Sequence, residues 1–184
     1  SASPEDAVAL HRESLATIEA LSRDVPTNLD YVDAVASQQY NLGRTMVLGR
    51  IAGGEDVMRR ACEQSEGLSR RPGAKPRYIR PAALSWGDLS MFLHRDGRGG
   101  EAEARKAVEA YETLVRDVPD DPIYRDEYAA RLRILAQIVT DRGELAEAEA
   151  LADRALAVQD EAISGRPDLS DFVERRAIGL LLRA

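Results

Sequence analysis

The chain is expected to be all-α, an α-solenoid of antiparallel helix pairs. Three observations predict this. First, four segments answer one another: RDVPTNLDY ending at Tyr31, RRPGAKPRY at Tyr78, RDVPDDPIY at Tyr124 and SGRPDLSDF at Phe172. Their aromatic residues are spaced by 47, 46 and 48 positions, and Pro26, Pro72, Pro119 and Pro167 by 46, 47 and 48. Alanine follows each aromatic by five residues, at Ala36, Ala83, Ala129 and Ala177. Second, apolar residues in each unit recur at spacings of three and four, the period of one helix face. Third, no run alternates with the period of a strand. A helix pair cannot bury its apolar stripe alone, so neighbouring repeats must stack.

About eight helices are expected, over 4–24, 28–50, 54–70, 76–96, 99–117, 121–141, 144–165 and 168–184. The first matches a second helix of the repeat, with Leu15, Ile18 and Leu21 answering Val108, Tyr111 and Leu114. The helix from 28 carries Gln39, Leu42, Gly43 and Met46 on its stripe. Its successors carry Trp86, Leu89, Ser90, Leu93 and then Leu132, Leu135, Ala136, Val139. The third place is always small, which lets a neighbouring helix approach closely. Gln39 departs from Trp86, Leu132 and Leu180, so it either packs less tightly or presents an amide to a groove. Glycines near 53, 97 and 143 end the first helices, because glycine accepts the left-handed conformation common there. The second helices open with acidic residues, as the helix dipole favours. Prolines close them.

The repeat units run over about 7–53, 54–98, 99–144 and 145–184, all within one repeat domain spanning 1–184. The chain begins and ends inside a repeat. It therefore reads as an excerpt of a longer protein, or as a stack capped by its terminal helices.

Lys+Arg number 25 against 32 Asp+Glu, a formal charge of −7. This excludes a general nucleic-acid binder, which needs a basic face to displace counterions. It excludes a polybasic membrane-surface module as well. No stretch nears the roughly 18 apolar residues of a membrane span. No signal peptide opens the chain, and the fragment reads as cytoplasmic. Only Lys75 and Lys106 are lysines, an arginine bias typical of GC-rich bacterial coding. The single cysteine, Cys62, excludes an internal disulfide and a cysteine-based zinc cluster; it falls on an inner helix face as a small hydrophobe.

No catalytic set is found. The carboxylates of Glu101–Glu103 and Glu147–Glu149 are two residues apart and do not face each other on a helix. Asp117, Asp120 and Asp121 surround Pro119 as turn and cap groups, without the glycine and glutamate of a calcium loop. His94 lies near Asp96, but no serine or cysteine nucleophile accompanies them. Gly97, Gly99 and Gly100 follow a helix and lack the Lys-Ser/Thr of a phosphate loop. Arg59, Arg60, Arg70, Arg71, Arg77 and Arg80 make the one basic concentration. It is a solvated edge or a site for an acidic or phosphorylated partner.

The stretch from Ala129 to Ala155, A-x2-L-x2-L-A-x2-V-x3-G-x4-A-x6-A, resembles a tetratricopeptide repeat. Leu132, Leu135-Ala136 and Val139 stand at its first-helix places, Gly143 at the turn, and Ala148 and Ala155 at the small places of the second helix. Trp86, Leu89-Ser90, Leu93, Gly97 and Ala102 repeat the match; Leu42-Gly43 and Met46 do so in part, while Gln39 and Arg50 depart. The period of 46–48 exceeds the family's 34. This long form is similar to repeat arrays beside bacterial serine/threonine kinase domains, though no kinase motif occurs here. Attachment to a membrane kinase would imply an extracytoplasmic location instead.

The resemblance implies a right-handed superhelix whose concave face is lined by first helices and binds a peptide or partner protein. Carried over by position, the groove residues are Tyr40, Arg44, Gly87, Met91, His94, Arg133, Gln137 and Asp141. The expected function is a non-enzymatic interaction module with no cofactor and no metal, inserted in no membrane. The alternatives are a homodimerisation domain, or the regulatory repeat region of a kinase.

Overall fold

The computed structural model describes residues 3–71 and 75–164. Among them lie seven helices and no strand: α1 Pro4–Asp24, α2 Leu29–Leu48, α3 Gly54–Ser69, α4 Pro76–Arg95, α5 Glu101–Asp117, α6 Pro122–Asp141 and α7 Leu145–Ser164. Their bounds lie within two residues of those read from the sequence. The eighth expected helix, 168–184, lies outside the described residues.

The helix ends follow from local chemistry. At α1, Ser3 and Asp6 form a reciprocal capping box, each side chain accepting from the other's backbone N–H. Asn28 caps α2 and Asp121 caps α6, where Pro122 supplies a preset first helical residue. The repeated RDVP ends two helices in the same way. Val25 has φ −133° and ψ 69°, Val118 φ −134° and ψ 71°. Each is forced toward extended backbone by the proline after it. Each still donates its N–H to the residue four back, Leu21 or Leu114. Gly100, before α5, has φ 94°, and a Cβ there would lie 2.4 Å from the carbonyl oxygen of Ser90. Only glycine fits.

Two compact units divide the chain, Ser1–Leu89 and Ser90–Ala184, with the boundary inside α4. In the first unit α1 packs on α2 and α2 on α3. Val8, Leu42 and Met46 form a cluster flanked by Leu15, Ile51 and Val57. Gly43 sets the α2–α3 distance, because a Cβ on it would meet the Met58 backbone nitrogen at 2.6 Å. In the second unit α5 packs on α6 and α6 on α7. Leu132, Leu135 and Val139 on the α6 stripe are buried, each contributing about 2 kcal/mol of apolar transfer. Trp86, Leu89, Ser90 and Leu93 on α4 are buried too, as is Cys62. Gln39, the one polar member of the stripe, is half-buried. Its side-chain oxygen is enclosed without a hydrogen-bond partner among the described residues.

Candidate functional site

The groove residues read from the sequence fall into one patch in each unit. In the first unit, α2 and α4 present Tyr40, Arg44 and Gly87. Tyr40 donates its hydroxyl to Asp88 Oδ2 at 2.5 Å, and Arg44 Nε lies 3.7 Å from the same oxygen. Asp88 is thus the centre of this patch, although the sequence did not single it out. Gly87 is buried, so it exposes no surface of its own among these residues.

Lower on the same pair of helices, Tyr78 donates to Asp30 Oδ1 at 2.6 Å, and Arg77 pairs with the same oxygen. The guanidinium of Arg77 also lies 4.9 Å from the Tyr78 ring centroid. The Tyr78 hydroxyl, with help from Arg77, holds the Asp30 carboxyl below the usual carboxylate range. Arg70 is paired with Glu66 at 2.5 Å and Arg59 with Glu55 at 3.5 Å. The arginine concentration is therefore interleaved with carboxylates.

In the second unit the patch is formed by α4 and α6. Met91 is exposed, at 41%. His94 Nε2 lies 3.1 Å from Asp141 Oδ2, and Gln137 donates to Asp141 Oδ1 at 2.9 Å, so both carboxylate oxygens are engaged. Arg133 turns the other way, toward α7, and donates to Gln159 Oε1 at 3.1 Å. Gln159 is fully buried and donates in turn to buried Asp126 at 3.3 Å. Five expected groove residues therefore split. Met91, His94, Gln137 and Asp141 share one surface, and Arg133 serves partly to tie α6 to α7.

Three of these links share a register the sequence already contained. Asp30–Tyr78, Tyr40–Asp88 and His94–Asp141 join positions 48, 48 and 47 apart, one repeat period. Searching for complementary polar residues one period apart would have found Asp88. The Asp126–Gln159 pair, 33 residues apart, follows no such register.

Chemically, the patches offer hydrogen-bond donors and acceptors of both signs beside one flexible thioether. Among the described residues no three His, Cys, Asp or Glu side chains group to hold a metal ion, and no helix is long and apolar enough to cross a membrane. No family model matches the chain, and no curated protein matches it.

Proposed function

We propose that the chain is a helical-repeat interaction module. In this reading it is an α-solenoid of the tetratricopeptide type with 168–184 as its eighth helix, and its first helices bind an extended segment of a partner protein. The observation that carries this reading is the set of links one period apart. They tie α2 to α4 within one unit and α4 to α6 within the other. Arg44 stays exposed beside the first unit's links, and Met91, Gln137 and Asp141 stay exposed beside the second unit's. An unbranched thioether amid mixed polar groups suits a peptide whose side chains vary, since methionine adapts its shape at little cost.

The test is selection of peptides from a random display library on the full chain, followed by calorimetric titration. Peptides bound at micromolar Kd should weaken about tenfold with Met91→Asp or with Arg44→Ala, circular dichroism unchanged. Binding untouched by both changes would overturn the surface assignment. A mass near twice 20.2 kDa by light scattering, with no peptide selected, would favour self-association instead.

A further inference from the structure

The outer face of α1 departs from the face it matches on α3 and α5. Gly54, Met58, Ala61, Ser65 and Leu68 of α3 are buried. So are their counterparts one period on: Gly100 at the α5 N-cap, then Ala104, Ala107, Tyr111 and Leu114. The preceding helix supplies cover. Gly43 of α2 lies against the Met58 backbone, and Gly100 lies against Ser90 of α4. On α1 the matching residues are Ala7, His11, Ser14, Ile18 and Leu21, and none of them is buried. Leu21 is 46% exposed, and Leu10 on the same face is 67% exposed. Leu10, Ser14, Thr17 and Ile18 line a shallow hollow there, with Glu13 at its edge.

A covering helix cannot close on α1 as it does on the others. Gly54 and Gly100 leave it room, since a Cβ would lie 2.8 Å from Met46 Cβ at the first and 2.4 Å from the Ser90 carbonyl oxygen at the second. Ala7 stands at that place on α1 and carries the Cβ.

The face has a seam of its own instead. Ala7, Leu10, Ser14, Thr17 and Leu21 follow one another at spacings of three and four, the spacing by which two like helices pair side by side. The Thr17 hydroxyl donates to the Glu13 carbonyl of its own helix at 3.1 Å, which leaves the methyl group to the seam. Charge sets the direction of such a pair. Asp6 and Glu13 border the seam on one side, His11 and Ile18 on the other. An antiparallel pair would set acidic border against acidic border. A parallel pair sets Asp6 of each helix beside His11 of the other.

We infer that this face docks a second copy of the chain, α1 against α1 in parallel about a two-fold axis. Leu10 and Leu21 meet their own counterparts across the axis, and the small Ala7 and Ser14 let the helices approach between them. The interface goes beyond the peptide surface proposed above and does not depend on it. One helix pair buries less than the roughly 1,600 Å² of a standard interface, so monomer and dimer exchange with concentration.

Sedimentation equilibrium of the full chain over a hundredfold range of concentration tests this. The mass should climb from 20.2 kDa toward twice that value. Leu10→Asp and Leu21→Asp should each weaken the dimer at least about tenfold, circular dichroism unchanged. Ala16→Asp, exposed on the opposite side of α1, should leave it intact. Direction is read by mild oxidation. Leu10→Cys and Leu21→Cys should each cross-link to its own kind, while the wild type, whose Cys62 is buried, should not. A mass of 20.2 kDa at every concentration would overturn the inference. So would a dimer indifferent to both aspartates, or cross-linking of Leu21→Cys only to a Leu10→Cys copy. Peptides selected on the wild type should bind Leu10→Asp equally well, so failure of either reading leaves the other standing.

Discussion

Tyr40 and Asp88 are joined by a hydrogen bond of 2.5 Å across 48 residues of chain, with Arg44 at 3.7 Å as a second, looser partner of the same carboxylate. The hydroxyl is part-buried and donates to a carboxylate whose side chain is 18% exposed, whereas the Arg44 side chain is 50% exposed. The two partners should therefore differ in worth. Tyr40→Phe is expected to lower the unfolding free energy by about 1–2 kcal/mol, as loss of a charge-assisted bond does. Arg44→Ala should cost about 0.5 kcal/mol or less, the range of a solvated pair. Urea denaturation of both variants checks the order, and a larger loss from Arg44→Ala would reverse the assignment.

The α2–α3 approach gives a contrast between two glycines. At Gly43 a Cβ would lie 2.6 to 2.9 Å from the backbone and Cβ of Met58, atoms that cannot step aside without moving a helix. Gly67, inside α3, has nothing within 4 Å of the same added atom. Gly43→Ala should destabilise the protein by about 2–3 kcal/mol through overpacking. Gly67→Ala should stabilise it by about 0.5–1 kcal/mol, because alanine loses less backbone freedom on folding. Thermal melts of the two variants moving in the same direction would contradict the packing at Gly43.

The period, the helix bounds and the small third place of the stripe were all legible in the sequence, because each is a local property. Gly43 is an example: its place between Leu42 and Met46 already implied close approach. Gln39 was legible as an exception, and its enclosed oxygen shows what the exception costs. The site was less legible. Tyr40 and Asp141 could be placed on a helix face by counting, but counting does not reveal that each is held by a residue one repeat away. Gly87 could be counted onto the same face, but counting does not reveal its burial, which depends on packing. The Arg133–Gln159–Asp126 chain depends on side-chain reach between α6 and α7, which no helical period encodes.

Acid should act on the Asp30–Tyr78 link in a defined direction. Asp30 titrates below its usual value in the folded protein, so between the folded and unfolded values the unfolded chain binds more protons. The stabilisation is present above roughly pH 4 and is lost as pH falls through the folded value. Asp30→Asn should therefore be less stable than wild type at pH 7, with a gap that closes on acidification. A second readout sits three residues on. The Asp33 carboxyl is raised mainly by burial and further by Asp30, so Asp30→Asn should let it titrate lower. Carboxyl chemical shifts followed against pH read both effects, and a stability gap independent of pH would refute the link.

Tyr128 should behave in the opposite sense to Tyr40. It is buried, with Arg154 over its ring at 5.4 Å, and among the described residues its enclosed hydroxyl has no hydrogen-bond partner. Burial pushes its pKa up to about 12, with Glu112 adding to the rise and Arg154 opposing it. The folded state then holds this proton more tightly than the unfolded chain does. Its contribution is complete below about pH 10 and is lost as pH climbs through 12. Tyr128→Phe removes a polar group that gains nothing from burial, so stability at pH 7 should stay level or rise by about 1 kcal/mol. The same variant should lose less stability than wild type between pH 7 and 11. Urea titrations at the two values, with phenolate absorbance followed in parallel, decide it. A loss at pH 7 as large as that of Tyr40→Phe would mean the hydroxyl is bonded after all, and the alkaline difference would then have to be sought in another tyrosine.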